Sequence, residues 1–248
     1  MKPFLSQWKA DLLRTVRDRR FFVLTLIMPV GFYLLFIHEQ RGATAIAGTF
    51  WSAYFMVSMA TFGVVGASVN TLGVRLAAER KMGWVRWLRT TPLSSVGYAA
   101  SKISTQLSLS LLIVAVVFMV AHSNQGVTLS AKHWVEIVLW IWIGSIPFAA
   151  LGVLIGLAGN SAQVLGTLVY LGLSLLGGLW TPVEALPKTM QDIAHWMPTY
   201  RYAQPAWNLL AGKGVDIKDI AFLAGYTILF VGLAAIIQNR LDVKPDTN

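Results

Sequence analysis

The chain has 248 residues, 56% hydrophobic and only 12% charged, with a mean hydropathy of +0.61. A soluble domain of this size carries about a quarter charged residues, so composition excludes a soluble globular protein and points to an integral membrane protein. The net charge of +9 needs no nucleic acid, because anionic lipid and topology account for it, and the absence of cysteine excludes a disulfide framework, a thiolate metal site and a thiol nucleophile.

Residues 1–20 carry Lys2, Lys9, Arg14, Arg17, Arg19 and Arg20. That is too long and too charged for the n-region of a signal peptide, and no small-residue cleavage site follows, so the segment is expected to stay attached. Phe4, Leu5, Trp8, Leu12, Leu13 and Val16 recur at helical spacing opposite Lys9, Arg17 and Arg20. The pattern predicts an amphipathic helix lying in the inner membrane interface, where it serves either as an anchor or as a contact for a partner.

Six apolar runs follow, at 21–37, 50–72, 97–121, 134–158, 162–180 and 220–237. Each is near the ~17–25 residues that a helix needs to cross ~30 Å of hydrocarbon. They are continuously apolar and lack the in-out alternation of a barrel strand. The expected fold is an all-α membrane protein with six transmembrane helices.

Between the second and third runs lies a basic, aromatic segment, 74–93. A surface helix over 74–89 would place Leu76, Trp84, Trp87 and Leu88 toward lipid or a groove and Arg75, Arg80, Lys81 and Arg86 toward phosphates or solvent, with Pro92 ending it. Attraction to an anionic leaflet, about 1 kcal/mol per basic residue, already accounts for a helix lying flat.

Within the spans, Gly63 with Ala67 and Gly152 with Gly156 are small residues four apart, which suits helix packing. Pro29 and Pro147 are expected to kink their helices. Asn70, Lys102, Gln106, Asn160 and Gln163 fall near inner ends, where snorkelling and capping are the default. Thr61, Ser108, Ser110, Thr167, Tyr170 and Ser174 sit at mid-depth and serve helix packing.

The segment 181–219 is too apolar for a free loop. Leu186, Met190, Ile193, Trp196 and Met197 fall on one helical face, and Trp207, Leu209 and Leu210 follow Pro205. Two arms of roughly a dozen residues are too short to span, so they are expected to be half-inserted helices with their broken backbone covered by protein or set at the interface. Pro182 and Pro187 suit helix starts, and Pro198 and Pro205 a break between the arms. Trp180, Trp196, Tyr200, Tyr202 and Trp207 fit either an aromatic belt at the outer headgroups, the preferred reading, or the lining of an exit route.

An even number of spans puts both termini on one side. Of the 20 Lys and Arg, fourteen fall on the side of the termini and six, namely Arg41, Lys132, Lys188, Arg201, Lys213 and Lys218, on the other. The imbalance orients the termini to the cytoplasm. No buried Asp, Glu or His chain of the kind that runs a proton-coupled carrier is visible. His38, His122, His133 and His195 lack metal-ligand spacing. There is no Gly-x4-Gly-Lys-Ser/Thr loop, so the chain has no P-loop for ATP, and no Gly-x-Ser-x-Gly elbow of a hydrolase.

Glu79-Arg80, Gly83 and the run Leu88-Arg89-Thr90-Thr91-Pro92-Leu93, placed between a second and a third span, resemble the cytoplasmic loop and coupling helix of ABC-2 type transporter permeases. The basic N-terminal helix, six spans and a proline-containing apolar segment before the last span extend the resemblance to the small exporters of the daunorubicin-resistance permease type, over the whole chain. The resemblance implies one ABC-2 transmembrane domain, 1–248, comprising an interfacial helix (1–20), a coupling loop (74–93) and a pair of short re-entrant outer helices (181–219). It implies that Glu79, Arg80, Gly83, Thr91 and Pro92, with Trp84, Trp87 and Leu88 beside them, couple to a separate cytoplasmic ATP-binding cassette subunit that holds MgATP. This chain itself is then no enzyme and carries no cofactor. It further implies a second permease copy as partner, an outer gate at Trp180, Pro182, Trp196, Tyr200, Tyr202 and Trp207, and a place in the bacterial plasma membrane. The apolar interior favours a lipophilic drug, peptide antibiotic or lipid as substrate. A membrane enzyme acting on lipid-linked substrates would need acid, base or metal ligands at one depth, and Glu39, Glu79, Glu136, Glu184 and Asp192 are scattered over both faces. A non-transporting membrane scaffold is the remaining alternative.

Overall fold

A computed structural model describes residues 2–19, 22–37, 48–84 and 94–243, which are helical with short connections. The organising element is a single helix, α3, running Trp51–Lys81. Its first part, Trp51–Gly66, is apolar or small on every side, and a helix of that kind has to be enclosed by protein. The most apolar stretch of α3 is 94% buried. Around it stand α1 (Lys2–Val16), α2 (Met28–Phe36, entered through a π turn at Phe22–Ile27), α4 (Ser95–Gln125), α5 (Ala131–Ile143), α6 (Ile146–Gly156), α7 (Ala162–Leu176), α8 (Lys188–Ala194), α9 (Pro198–Leu210) and α10 (Ile217–Val243). α10 lies outermost, with its apolar stretch only 11% buried.

Among the described residues four stretches are long and apolar enough to cross a membrane: Trp51–Lys81, Gly97–Gln125, Ala131–Gly156 and Ile217–Leu241. The apolar helix Thr25–Phe36 and the 15-residue α7 are shorter. The run expected as one span at 134–158 is divided at Gly144 and Ser145 into α5 and α6. Pro147 stands in the first turn of α6, after the Gly144–Ser145 turn, and begins a helix where a kink was expected. Pro29 lies inside a continuous helical run, just after the π turn Phe22–Ile27 passes into α2.

The second apolar run does not stop at 72. It continues through a π-helical segment, Ala67–Thr71, to Lys81, and the segment read as a surface helix from 74 is, up to Lys81, the end of the central helix. Two features hold this lower half. At the π turn the Gln106 side chain of α4 bonds the Ser68 hydroxyl, 2.7 Å apart, satisfying polar groups that lipid would leave bare. Beyond it α6 crosses so closely that a Cβ on Gly152 would collide with the Ser68 carbonyl, one on Gly73 would lie 3.0 Å from the Gly152 carbonyl and one on Gly156 2.8 Å from Leu76 Cβ. Gly152 and Gly156, read as packing positions, thus lie where two helices touch, whereas Gly63 packs against the side chains of Ile113 and Pro29. α3 ends at Met82 and Gly83, and Gly83 has φ +70°, a left-handed conformation that a side chain would strain.

The segment 181–219 folds as a short turn at Val183–Ala185 after Pro182, then α8 after Pro187, then α9. Pro198 opens α9, but Pro205 lies inside it and makes no break. α9 is wedged among α3, α5 and α7: Tyr202 Oη donates to the Ile141 carbonyl, Trp140 Nε1 to the Tyr202 carbonyl at 2.8 Å, Thr199 Oγ1 to the Leu173 carbonyl, and Trp207 Nε1 to Ser58 Oγ at 3.1 Å. Of the expected apolar face, Leu186, Met190 and Met197 are half-buried, Met197 against the core, while Ile193 and, beyond the seven-residue α8, Trp196 remain exposed and Ala194 faces inward.

Because the α3–α6 crossing has no room for a methyl group at 152, Gly152→Ala is expected to cost about 1–3 kcal/mol or more and to lower the thermal unfolding midpoint in detergent. Gly172→Ala, mid-helix in α7 with nothing within 4 Å of the added Cβ, serves as the matched control and should not lower that midpoint.

Candidate coupling site at the α1 end

The last turns of α3, the first turns of α4 and the middle of α1 meet at one end of the bundle. Arg75 and Glu79 are four apart on α3, and Tyr98 and Lys102 four apart on α4, so each pair shares a face. Lys102 Nζ lies 2.7 Å from Glu79 Oε1 and 3.0 Å from Asp11 Oδ1 on α1. Lys102, Glu79 and Asp11 are each no more than 5% exposed. The Tyr98 hydroxyl donates to Glu79 Oε2, Arg75 Nη2 approaches Asp11 Oδ1 at 3.6 Å, and Arg14, at the surface, reaches Glu79 at 3.9 Å. A lysine brought out of water pays a desolvation penalty of several kcal/mol unless carboxylates surround it with good geometry. Here two do, one from each neighbouring helix.

The next two residues of α3 reach in other directions. Arg80 donates to the Gln238 side chain on α10, and Lys81 Nζ lies 3.3 Å from Asn160 Oδ1 in the turn Gly159–Ser161 that leads into α7. Three consecutive side chains, Glu79, Arg80 and Lys81, therefore tie the end of α3 to α1 with α4, to α10, and to the α6–α7 turn. Met82 and Trp84, just beyond, are exposed. Of the coupling residues inferred from sequence, Trp87, Leu88, Thr91 and Pro92 lie outside the described residues.

Several expectations change. Glu79, which the resemblance marks as a coupling residue, is the buried partner of Lys102. Lys102 does not snorkel, because its ammonium is held inside by two carboxylates. Leu76 packs toward Gly156 of α6 and Arg75 toward Asp11, so neither takes the orientation that a surface helix would give it.

The aromatic residues of the opposite end are likewise not a belt. Tyr200, Tyr202 and Trp207 are buried; Trp207 stacks on Tyr54 at 4.6 Å, and Tyr202 lies against Phe148 at 5.0 Å. Trp180 packs edge-on to Phe32 and Phe62. Only Trp196, 64% exposed, is placed as a belt residue would be. Its carbonyl accepts from the Tyr226 hydroxyl of α10, and Arg201 binds Asp219 at 3.0 Å, so α8 and α9 are fastened to α10. Pro182 begins the turn that carries the chain from Trp180 into this segment. Burial, then the Glu184 carboxylate, push the Tyr200 phenol above its ordinary range.

Asp11 is the site residue that sequence reasoning passed over. A signal was present: 11 follows 4 and 8 at helical spacing, so this carboxylate sits on the apolar stripe of α1, where a lipid-facing helix has no use for one.

Residues 43–236 match the family model described as ABC-2 family transporter protein. The protein YvfS of Bacillus subtilis (strain 168), named as a transport permease, is 34% identical over 97% of this chain and 98% of its own length. The inner membrane transport permease YhhJ of Escherichia coli (strain K12) is 27% identical over 70% of the chain and 49% of its own length. The linearmycin resistance permease protein LnrN of Bacillus subtilis (strain 168) is 20% identical over 79% and 49%. The chain belongs to the ABC-2 family of transporters and is a multi-pass membrane transport permease.

Proposed function

We propose that this permease is the membrane-spanning subunit of an exporter driven by ATP hydrolysed in a separate cytoplasmic subunit, which binds MgATP and docks against the segment 82–94. In this account the whole chain is one ABC-2 transmembrane domain. It crosses a bacterial plasma membrane six times, with α2 and α7 as the two shorter crossings and both termini in the cytoplasm, and pairs with a second permease copy to form the pathway.

The observation that carries this reading is the splayed end of α3. A segment that merely rested on lipid would need no side-chain ties into the bundle. Glu79, Arg80 and Lys81 instead connect the helix immediately before 82–94 to α1 and α4, to α10 and to the α6–α7 turn. A push on that segment reaches helices throughout the bundle, which is what differential binding of an ATP-driven partner requires to shift a membrane conformation. At the other end α9, plugged in by Tyr202 and Trp207 and backed by Trp180, Tyr200 and Trp196, acts as the outer closure. The apolar core favours a lipophilic cargo such as a drug, peptide antibiotic or lipid, and a relative named for linearmycin resistance supports outward movement of such a molecule.

Two measurements test this. The chain has no native cysteine, so single thiols report topology cleanly: Met82→Cys should react only with membrane-permeant reagents and Ser130→Cys with impermeant reagents added outside intact cells. The reverse pattern would overturn the orientation. Trp84→Ala removes an exposed side chain at the docking surface. It should leave the thermal midpoint unchanged while lowering co-purification of the ATP-binding subunit at least fivefold, and undiminished co-purification of that subunit would exclude this surface.

A further inference from the structure

The charge pattern of α1 is that of a lipid anchor on one side only. Lys9, Arg14 and Arg17 are exposed, as an anionic surface would require. Asp11 and Thr15 point the other way and are 4% and 1% exposed. A carboxylate on the inner side contributes nothing to anchoring on an anionic leaflet, which repels it. It has a different use here. Asp11 Oδ1 faces Lys102 and Arg75, its Oδ2 accepts from Gln7 at 3.1 Å, and the Thr15 hydroxyl binds the Asp11 carbonyl at 2.8 Å. Both oxygens are used, one to hold the bundle and one to brace its own helix.

The contacts around the end of α3 also differ in kind. The ties to α1 and α4 are buried ionic contacts around Lys102, and they cannot be drawn apart without leaving a charge unpaired. Those to Gln238 and Asn160 are hydrogen bonds to neutral amides, the latter exposed, and a bond of that kind contributes less than one to a charged partner.

We infer that Asp11 and Lys102 are positioning residues that make α1, the end of α3 and the start of α4 one moving body, so that the interfacial helix is a working part of the lever. This inference rests on the ATP-driven reading above.

The test uses the full chain with its ATP-binding subunit in phosphatidylglycerol–phosphatidylcholine vesicles, and reads the ATP hydrolysis that the permease adds to that of the isolated subunit. Thr15 and Thr105 line the same cavity of about 10 Å³ beside Asp11 and Lys102, so T15C and T105C, introduced as the only thiols, are chosen for an oxidative cross-link in place of the ion pair, its formation read by loss of free thiol. Asp11→Asn should lower the added hydrolysis at least fivefold with the inserted complex undiminished, and oxidation of D11N/T15C/T105C should restore it to within twofold of the unaltered complex, reversibly with reductant. In the chain with Asp11 intact, oxidised T15C/T105C should stay within twofold. That arm decides the matter should D11N fail to insert. An unaffected Asp11→Asn, failure of oxidation to restore D11N, or loss of the added hydrolysis when the cross-link forms with Asp11 present, would each overturn the inference. A permease that adds no hydrolysis even when unaltered would sink the ATP-driven reading, and this inference with it.

Discussion

Lys102 is the constraint on which the α1 end depends. Its ammonium lies between carboxylates supplied by two other helices, and removal of one member of such a buried group costs about 3–5 kcal/mol because the remainder is left charged and unsolvated. That penalty makes the group specify geometry: α1, α3 and α4 are held at one mutual position. The amphipathic helix then follows the bundle, and the helix end next to the loop is not free to fray.

The two ends of the molecule are held by different physics. At the α1 end the contacts are ionic and few. At the opposite end α9 is held by stacked rings and by hydrogen bonds from indole, phenol and hydroxyl groups to carbonyls and to Ser58. Between them runs α3, enclosed on all sides and pressed against α6 where glycines let the backbones touch. Interiors packed this closely transmit displacement, so a displacement of one end of α3 is felt along its length and in α6.

The apolar runs, the amphipathic N-terminus and the small-residue crossing were legible in the sequence because each is a local pattern with a period or a length. What was not legible was direction. The hydropathy of α3 falls after 72 when Arg75, Glu79, Arg80 and Lys81 appear, and a falling hydropathy reads as exit from the membrane. The helix continues because those charges are paired with Asp11, Lys102, Gln238 and Asn160, and three of these four are more than fifty residues away in sequence. The aromatics of 181–219 were misread for the same reason: a tyrosine at the surface and a tyrosine bonded to the Ile141 carbonyl look alike until the partner is known. Pro205 within α9 shows the limit of local rules, since tertiary contacts on both sides of the wedge hold a helix that proline would otherwise interrupt.

The central claim is that the end of α3 carries motion from a cytoplasmic ATP-binding subunit into the bundle with α1 and α4 attached. Pulsed electron resonance on spin labels in the assembled complex tests it most directly, because Ser6 on α1, Ala99 on α4 and Gln163 on α7 are all exposed. Between nucleotide-free and vanadate-trapped MgATP states, the Ser6–Ala99 distance should stay constant while the Ser6–Gln163 distance shifts. A changing Ser6–Ala99 distance, or a Ser6–Gln163 distance indifferent to nucleotide, would contradict the account.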